Sequence, residues 1–89
     1  MKVEGVFKIR GSVYLMAWEH KYGTEYSIHT TFEGAQKNCY EIIEEWKEEV
    51  IDSSDTELLG KDSGYLFENW TDITHGREYF SIHEIELRD

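Results

Sequence analysis

Four histidines, one cysteine and a run of glutamates are the residues of this chain whose chemistry could be put to use. His20, His29, His75 and His83 are of the type that ligates metals or moves protons, yet no two stand at a spacing that brings a ligand pair to one ion. A set built from His20, His83 and Glu19 or Glu84 requires the last strand to lie beside the strand that carries His20. Cys39 would need a neighbouring cation or a helix N-terminus to become a nucleophile. Its position instead puts it on the apolar stripe of a helix, which predicts a buried structural thiol. The glycines form neither GxGxxG after a strand nor GxxxxGK[ST], so nothing cradles phosphates. The sequence therefore assigns no catalytic, cofactor-binding or metal-ligating residue, and an enzyme is not expected.

The glutamates are different. Glu41, Glu44, Glu45, Glu48 and Glu49 repeat like charges four residues apart, a spacing that disfavours an isolated helix by a few tenths of a kcal/mol per pair, roughly. A solvated acidic face is the simplest account of them. The functional account is a recognition surface, because dense charge of one sign steers a basic partner in and repels acidic competitors. These five residues are the candidate partner-binding set.

The whole chain leans the same way. Nine Lys and Arg stand against nineteen Asp and Glu, for a formal charge of −10. Direct binding of nucleic acid or of an anionic membrane surface draws on cationic side chains, so both are disfavoured. With 39% hydrophobic and 15% aromatic residues spread along the chain, it is nevertheless predicted to fold rather than to behave as an acidic tail. Its 89 residues suit a single domain, 1–89. A lone cysteine forms no internal disulfide. The opening MKVEGVFKIR lacks the apolar run of a signal peptide, and no window approaches the roughly 20 apolar residues of a membrane span. A cytosolic protein is expected.

The elements that must position these residues follow from periodicity. Residues 2–9, 12–20 and 24–30 alternate apolar with polar and are separated by turn formers, predicting a three-stranded meander. A two-residue loop at Arg10-Gly11 places Phe7 opposite Tyr14 and Val3 opposite Trp18. A three-residue loop, Lys21-Tyr22-Gly23, places Trp18 opposite Tyr26 and Met16 opposite Ile28. Both registers gather Val3, Phe7, Ile9, Tyr14, Met16, Trp18, Tyr26 and Ile28 on one face.

Thr30 or Thr31 then caps a long helix in which Phe32, Ala35, Cys39, Ile42, Ile43, Trp46 and Val50 form the inward stripe. A loop over 52–63 carries one helical turn at Thr56 to Leu59. Ser63 caps a short helix with Leu66, Trp70 and Ile73 on one side, ending at His75-Gly76, and Glu78 to Leu87 supply a fourth strand. The expected fold is thus α+β, in the order βββα(α)β. A β-meander of three strands plus the C-terminal strand packs against one long helix. Its outer face, partly apolar at Val6, Val13, Leu15 and Ala17, is to be covered by the short helix or by a second copy. A sheet edge offers a route to a homodimer.

Val13-Tyr14, then Glu19-His20-x-x-Gly23, then Thr31-x-Glu33-x-Ala35, with the terminal Ile82-x-x-Ile85-x-Leu87, resembles a family of small acidic proteins of bacteria and their phages. The resemblance implies the fold and adds little about activity. The functional expectation is accordingly a small interaction or regulatory protein whose partner presents a basic surface. The alternatives are an acidic mimic of nucleic acid that occupies a DNA- or RNA-binding groove, and a His/carboxylate metal-binding protein.

Overall fold

Residues Val13 to Trp18 are apolar on both faces of an extended chain, which is the signature of a strand with a neighbour on each edge and a layer on at least one face. In the computed structural model, which describes residues 11–87, that strand is β1 (Gly11–His20) and it occupies the middle of the sheet. β2 (Gly23–His29) pairs antiparallel along one edge and β3 (Tyr79–Leu87) along the other, giving the order β2-β1-β3. Between β2 and β3 the chain forms α1 (Phe32–Val50), the single turn α2 (Thr56–Leu59) and α3 (Ser63–Ile73).

This corrects the expected four-stranded meander on one long helix. The described residues form a three-stranded sheet. β3 pairs with β1 from Gly11 to Glu19, along the edge that the predicted first hairpin had reserved for residues 2–9. With β2 on the other edge, both sides of β1 are taken. The predicted N-terminal strand itself lies outside the described residues. Nor is one long helix sufficient, because α3 lies on the same side of the sheet as α1 and shares its core. The short helix is therefore no cover for the outer face.

The second hairpin is shifted by one residue from its expected register. Its loop is the two residues Lys21-Tyr22, with His20 opposite Gly23, so Leu15 faces Ile28, Met16 faces Ser27 and Ala17 faces Tyr26. Gly23, at φ +125°, enters the ladder instead of serving as a third loop residue. The Tyr22 backbone N–H donates to His20 Nδ1 at 3.2 Å, which satisfies a turn amide with a side chain. A slip of one residue exchanges the two faces of a strand. Tyr26 and Ile28 consequently leave the core and are 67% and 66% exposed. Ser27 and His29 turn toward α1 in their place, where the Ser27 hydroxyl donates to Asn38 Oδ1 at 2.8 Å.

Two buried clusters make the core. Met16 and Trp18 of β1 meet Ala35 and Cys39 of α1, while Ile43 and Ile51 meet Leu66 and Trp70 of α3. Phe67 and Phe80 pack against both clusters and join them. The Phe80 ring stacks on Trp18 across the β1–β3 ladder, with centroids 6.0 Å apart and planes 9° from parallel.

Helix N-termini are closed by side chains, as their orphan amides require. Thr31 caps α1, its Oγ1 accepting from the Gly34 N–H at 3.0 Å. Asp62, one residue before the predicted Ser63, caps α3 through the Tyr65 N–H. The end of α3 is a Schellman closure: the Gly76 N–H reaches Thr71 O at 2.7 Å and the His75 N–H reaches Asp72 O, with both residues left-handed at φ 77° and 56°.

The corrected register makes a direct prediction. Met16→Ala should lower stability by about 2–5 kcal/mol, as expected for a fully buried side chain, whereas Ile28→Thr should change it by less than about 0.5 kcal/mol. Urea unfolding of the two variants checks this, and a loss at Ile28 comparable with that at Met16 would restore the register first expected.

Candidate functional site

Among the described residues an open groove of about 1030 Å³ lies at one end of the sheet. The tip of the β1–β2 hairpin, the C-terminal ends of α1 and α3, and the turn leading into β3 bound it. Its aromatic floor begins with Trp18, whose indole lies 4.2 Å, centroid to centroid, from the His20 ring and 6.3 Å from Trp46. Trp46 sits on the apolar stripe of α1 yet stays 37% exposed, because the groove opens beside it.

Glu78 holds this floor in place. Its Oε1 accepts the indole N–H of Trp18 at 2.9 Å and that of Trp70 at 3.1 Å, so one carboxylate oxygen ties β1 and α3 to the start of β3. Thr74, 5% exposed, secures the same turn: its hydroxyl donates to Trp70 O and accepts from the Glu78 N–H. Nothing in the spacing of Trp18, Trp70 and Glu78 announces this arrangement. A hint lies in chemistry alone, since a buried tryptophan needs an acceptor for its N–H.

Of the histidines, only His20 and His75 reach the groove. His20 has both ring nitrogens engaged: Nδ1 accepts from Tyr22, which leaves Nε2 to donate to Glu25 Oε2 at 2.8 Å. His83 stands opposite Leu15, five residues along β1 from His20 and on the other face of the sheet. The set of His20 and His83 with Glu19 or Glu84 is therefore not brought together, and among the described residues no group of three or more His, Cys, Asp or Glu is placed to hold a metal ion.

One nucleophile–base contact escaped the sequence. Ser27 Oγ lies 2.8 Å from His29 Nε2, the distance expected of a catalytic pair. The serine proton, however, is directed to Asn38 Oδ1, so His29 donates to the serine instead of accepting from it. The Ser27–Asn38 bond bolts β2 to α1. Cys39 is fully buried, and desolvation pushes its thiol up to about 12, which keeps the nucleophilic thiolate out of reach at neutral pH.

The five glutamates of the predicted partner-binding set are all exposed. Glu44 is the one in use. Its carboxylate accepts from the Ser63 hydroxyl at 2.7 Å and pairs with Lys47 at 3.0 Å, and these contacts, the serine first, hold its pKa below the ordinary carboxylate range. Glu41, Glu45, Glu48 and Glu49 have no hydrogen-bond or ion-pair partner among the described residues. Glu49 also lines the groove, so the acidic face and the aromatic floor adjoin.

Two outcomes are expected from this geometry. Glu78→Ala leaves two indole donors without an acceptor and should cost about 2 kcal/mol or more, while Glu78→Gln keeps the accepting oxygen and should cost about half as much; urea unfolding followed by tryptophan fluorescence measures both. Cys39 should resist thiol reagents at pH 8 in the native chain and react only as urea unfolds it. Its folded pKa lies above the ordinary 9.0, so its contribution to stability is complete below pH 9 and is lost as pH rises toward 12. Rapid native labelling would contradict the burial.

No family model matches the chain, and neither a curated protein nor a solved structure proved similar to it.

Proposed function

We propose that this chain is a non-enzymatic interaction domain that binds a protein partner through its acidic α1 surface, and that the partner presents a basic surface. The observation that carries the reading is the row Glu41, Glu45, Glu48 and Glu49, exposed and without partners among the described residues on the outward side of a helix whose inward side is packed. Like charges held this way weaken the isolated helix and do nothing for the fold. They gain a use when a cationic surface approaches, because a field of one sign speeds encounter and orients the partner. Glu44, already bound to Ser63 and Lys47, contributes to the α1–α3 contact and to the field at once.

A cytosolic setting fits the single buried thiol, which needs no oxidising compartment. Among the described residues no helix is long and apolar enough to cross a membrane.

The test uses a partner captured by the tagged chain and then purified. Reversing Glu41, Glu45, Glu48 and Glu49 to Lys should weaken its binding by on the order of a hundredfold, mostly through the association rate, and added salt should weaken the native complex in the same manner. Binding indifferent to both changes would overturn the reading. Competition between this chain and DNA or RNA for the partner would mark the acidic surface as a nucleic-acid mimic.

A further inference from the structure

The groove has chemistry that the helix face lacks. Six carboxylates line it against two cations, Lys21 and Arg77. Four of the six are committed to the fold: Glu25 to His20, Asp52 to the Ser54 N–H and hydroxyl, Asp55 to the cap of α2, and Glu78 to the two indoles. The side-chain carboxylates of Glu49 and Asp72 have no hydrogen-bond or ion-pair partner among the described residues. Each stands in the last turn of its helix, α1 ending at Val50 and α3 at Ile73. A helix C-terminus carries the negative end of the macrodipole, so a carboxylate there is placed against the field and a cation is favoured. Two helices thus bring unfavourable negative charge to the wall of one groove whose lining includes the part-exposed ring of Trp46, 37% accessible.

That combination selects for a cation that is also flat. A guanidinium lies against an indole face, offers several N–H donors to carboxylates, and loses less hydration than an ammonium on leaving water. The groove rim already contains a contact of this kind, with the Lys21 ammonium 5.0 Å from the centre of the Tyr22 ring. The openness of the groove suits a side chain presented by a polypeptide better than an enclosed small molecule.

We propose that the groove is the anchor site for an arginine side chain of the partner's basic segment, with the guanidinium against Trp46 and neutralised by Glu49 and Asp72. This rests on the interaction reading above and assigns its specificity. The acidic outer row of α1 attracts basic chains in general, and the groove selects among them.

The experiment is an NMR titration of the full chain with short blocked peptides that differ only in one central residue: arginine, lysine or citrulline. The arginine peptide should shift the Trp46 indole N–H and the amides of Glu49 and Asp72, with lysine several-fold weaker and citrulline without effect. Glu49→Gln with Asp72→Asn, which keep shape and remove charge, should lower the arginine-peptide affinity about tenfold, and Trp46→Leu should do likewise. Equal binding of the arginine and citrulline peptides, or shifts confined to Glu41, Glu45 and Glu48 with Trp46 silent, would overturn the anchor. The second of those results leaves the acidic-face reading standing. Conversely, arginine-specific shifts at Trp46 together with a partner indifferent to reversal of Glu41, Glu45 and Glu48 would support the anchor and overturn the acidic face.

Discussion

Two buried tryptophans share one acceptor, and much of the molecule is arranged around that fact. An indole brings a large apolar body into a core together with an N–H that must be satisfied. Trp18 comes from the central strand and Trp70 from α3, and the Oε1 of Glu78 accepts from both. The carboxylate therefore fixes where β3 begins relative to α3. That in turn puts Phe80 parallel to Trp18 and between the two core clusters. The Schellman closure at His75 and Gly76 and the buried Thr74 hydroxyl make the turn tight enough to deliver Glu78 to this point. The same turn forms one wall of the groove. Core and candidate site thus meet at a single carboxylate oxygen.

The sheet that results is covered on one face only among the described residues. α1 and α3 both lie over the side that carries Met16, Trp18, Phe80 and Ile82. The other side displays Tyr26, Ile28, Tyr79 and Ile85, each at least 39% exposed. Polar residues of β2 are found on the covered side, where Ser27, His29 and Asn38 satisfy one another. Such a network is tolerated under a helix because each member has a partner; left unpaired, the same groups would cost more than the apolar residues they displace.

Charge is distributed by the same logic. Carboxylates that cap helices, brace turns or hold indoles are consumed by the fold: Asp55, Asp62, Asp52 and Glu78. Of those with no such part in the fold, Glu41, Glu45, Glu48 and Glu49 form the outward row of α1, and Glu49 and Asp72 stand at the ends of α1 and α3. In both places carboxylates sit where helix energetics disfavour them, next to like charges or at the negative end of the dipole. A fold carries such costs without difficulty when its core is secure, and they become favourable once a cation arrives.

Elements whose identity depends on local pattern were legible in the amino-acid sequence. The stripe from Ala35 through Cys39 and Ile43 marked α1 and its inward face, and the burial of Cys39 followed directly. Turn formers marked the one-turn helix at Thr56 to Leu59, and the exposure of Glu41 to Glu49 followed from their phase on the helix. Only the tertiary structure decided which strands pair. β1 is apolar on both faces, so Tyr26 and Ile28 find apolar neighbours in either register, Trp18 and Met16 in one, Ala17 and Leu15 in the other. Periodicity cannot separate the two. Likewise, both edges of β1 can accept any strand of suitable length, and β3 takes its place through the Glu78 contact, sixty residues from Trp18. The groove is legible nowhere in the sequence, because its walls come from segments that meet only when that long loop closes. Helix phase is set by neighbours three and four residues away, whereas strand order and groove are set by contacts between residues far apart in the chain.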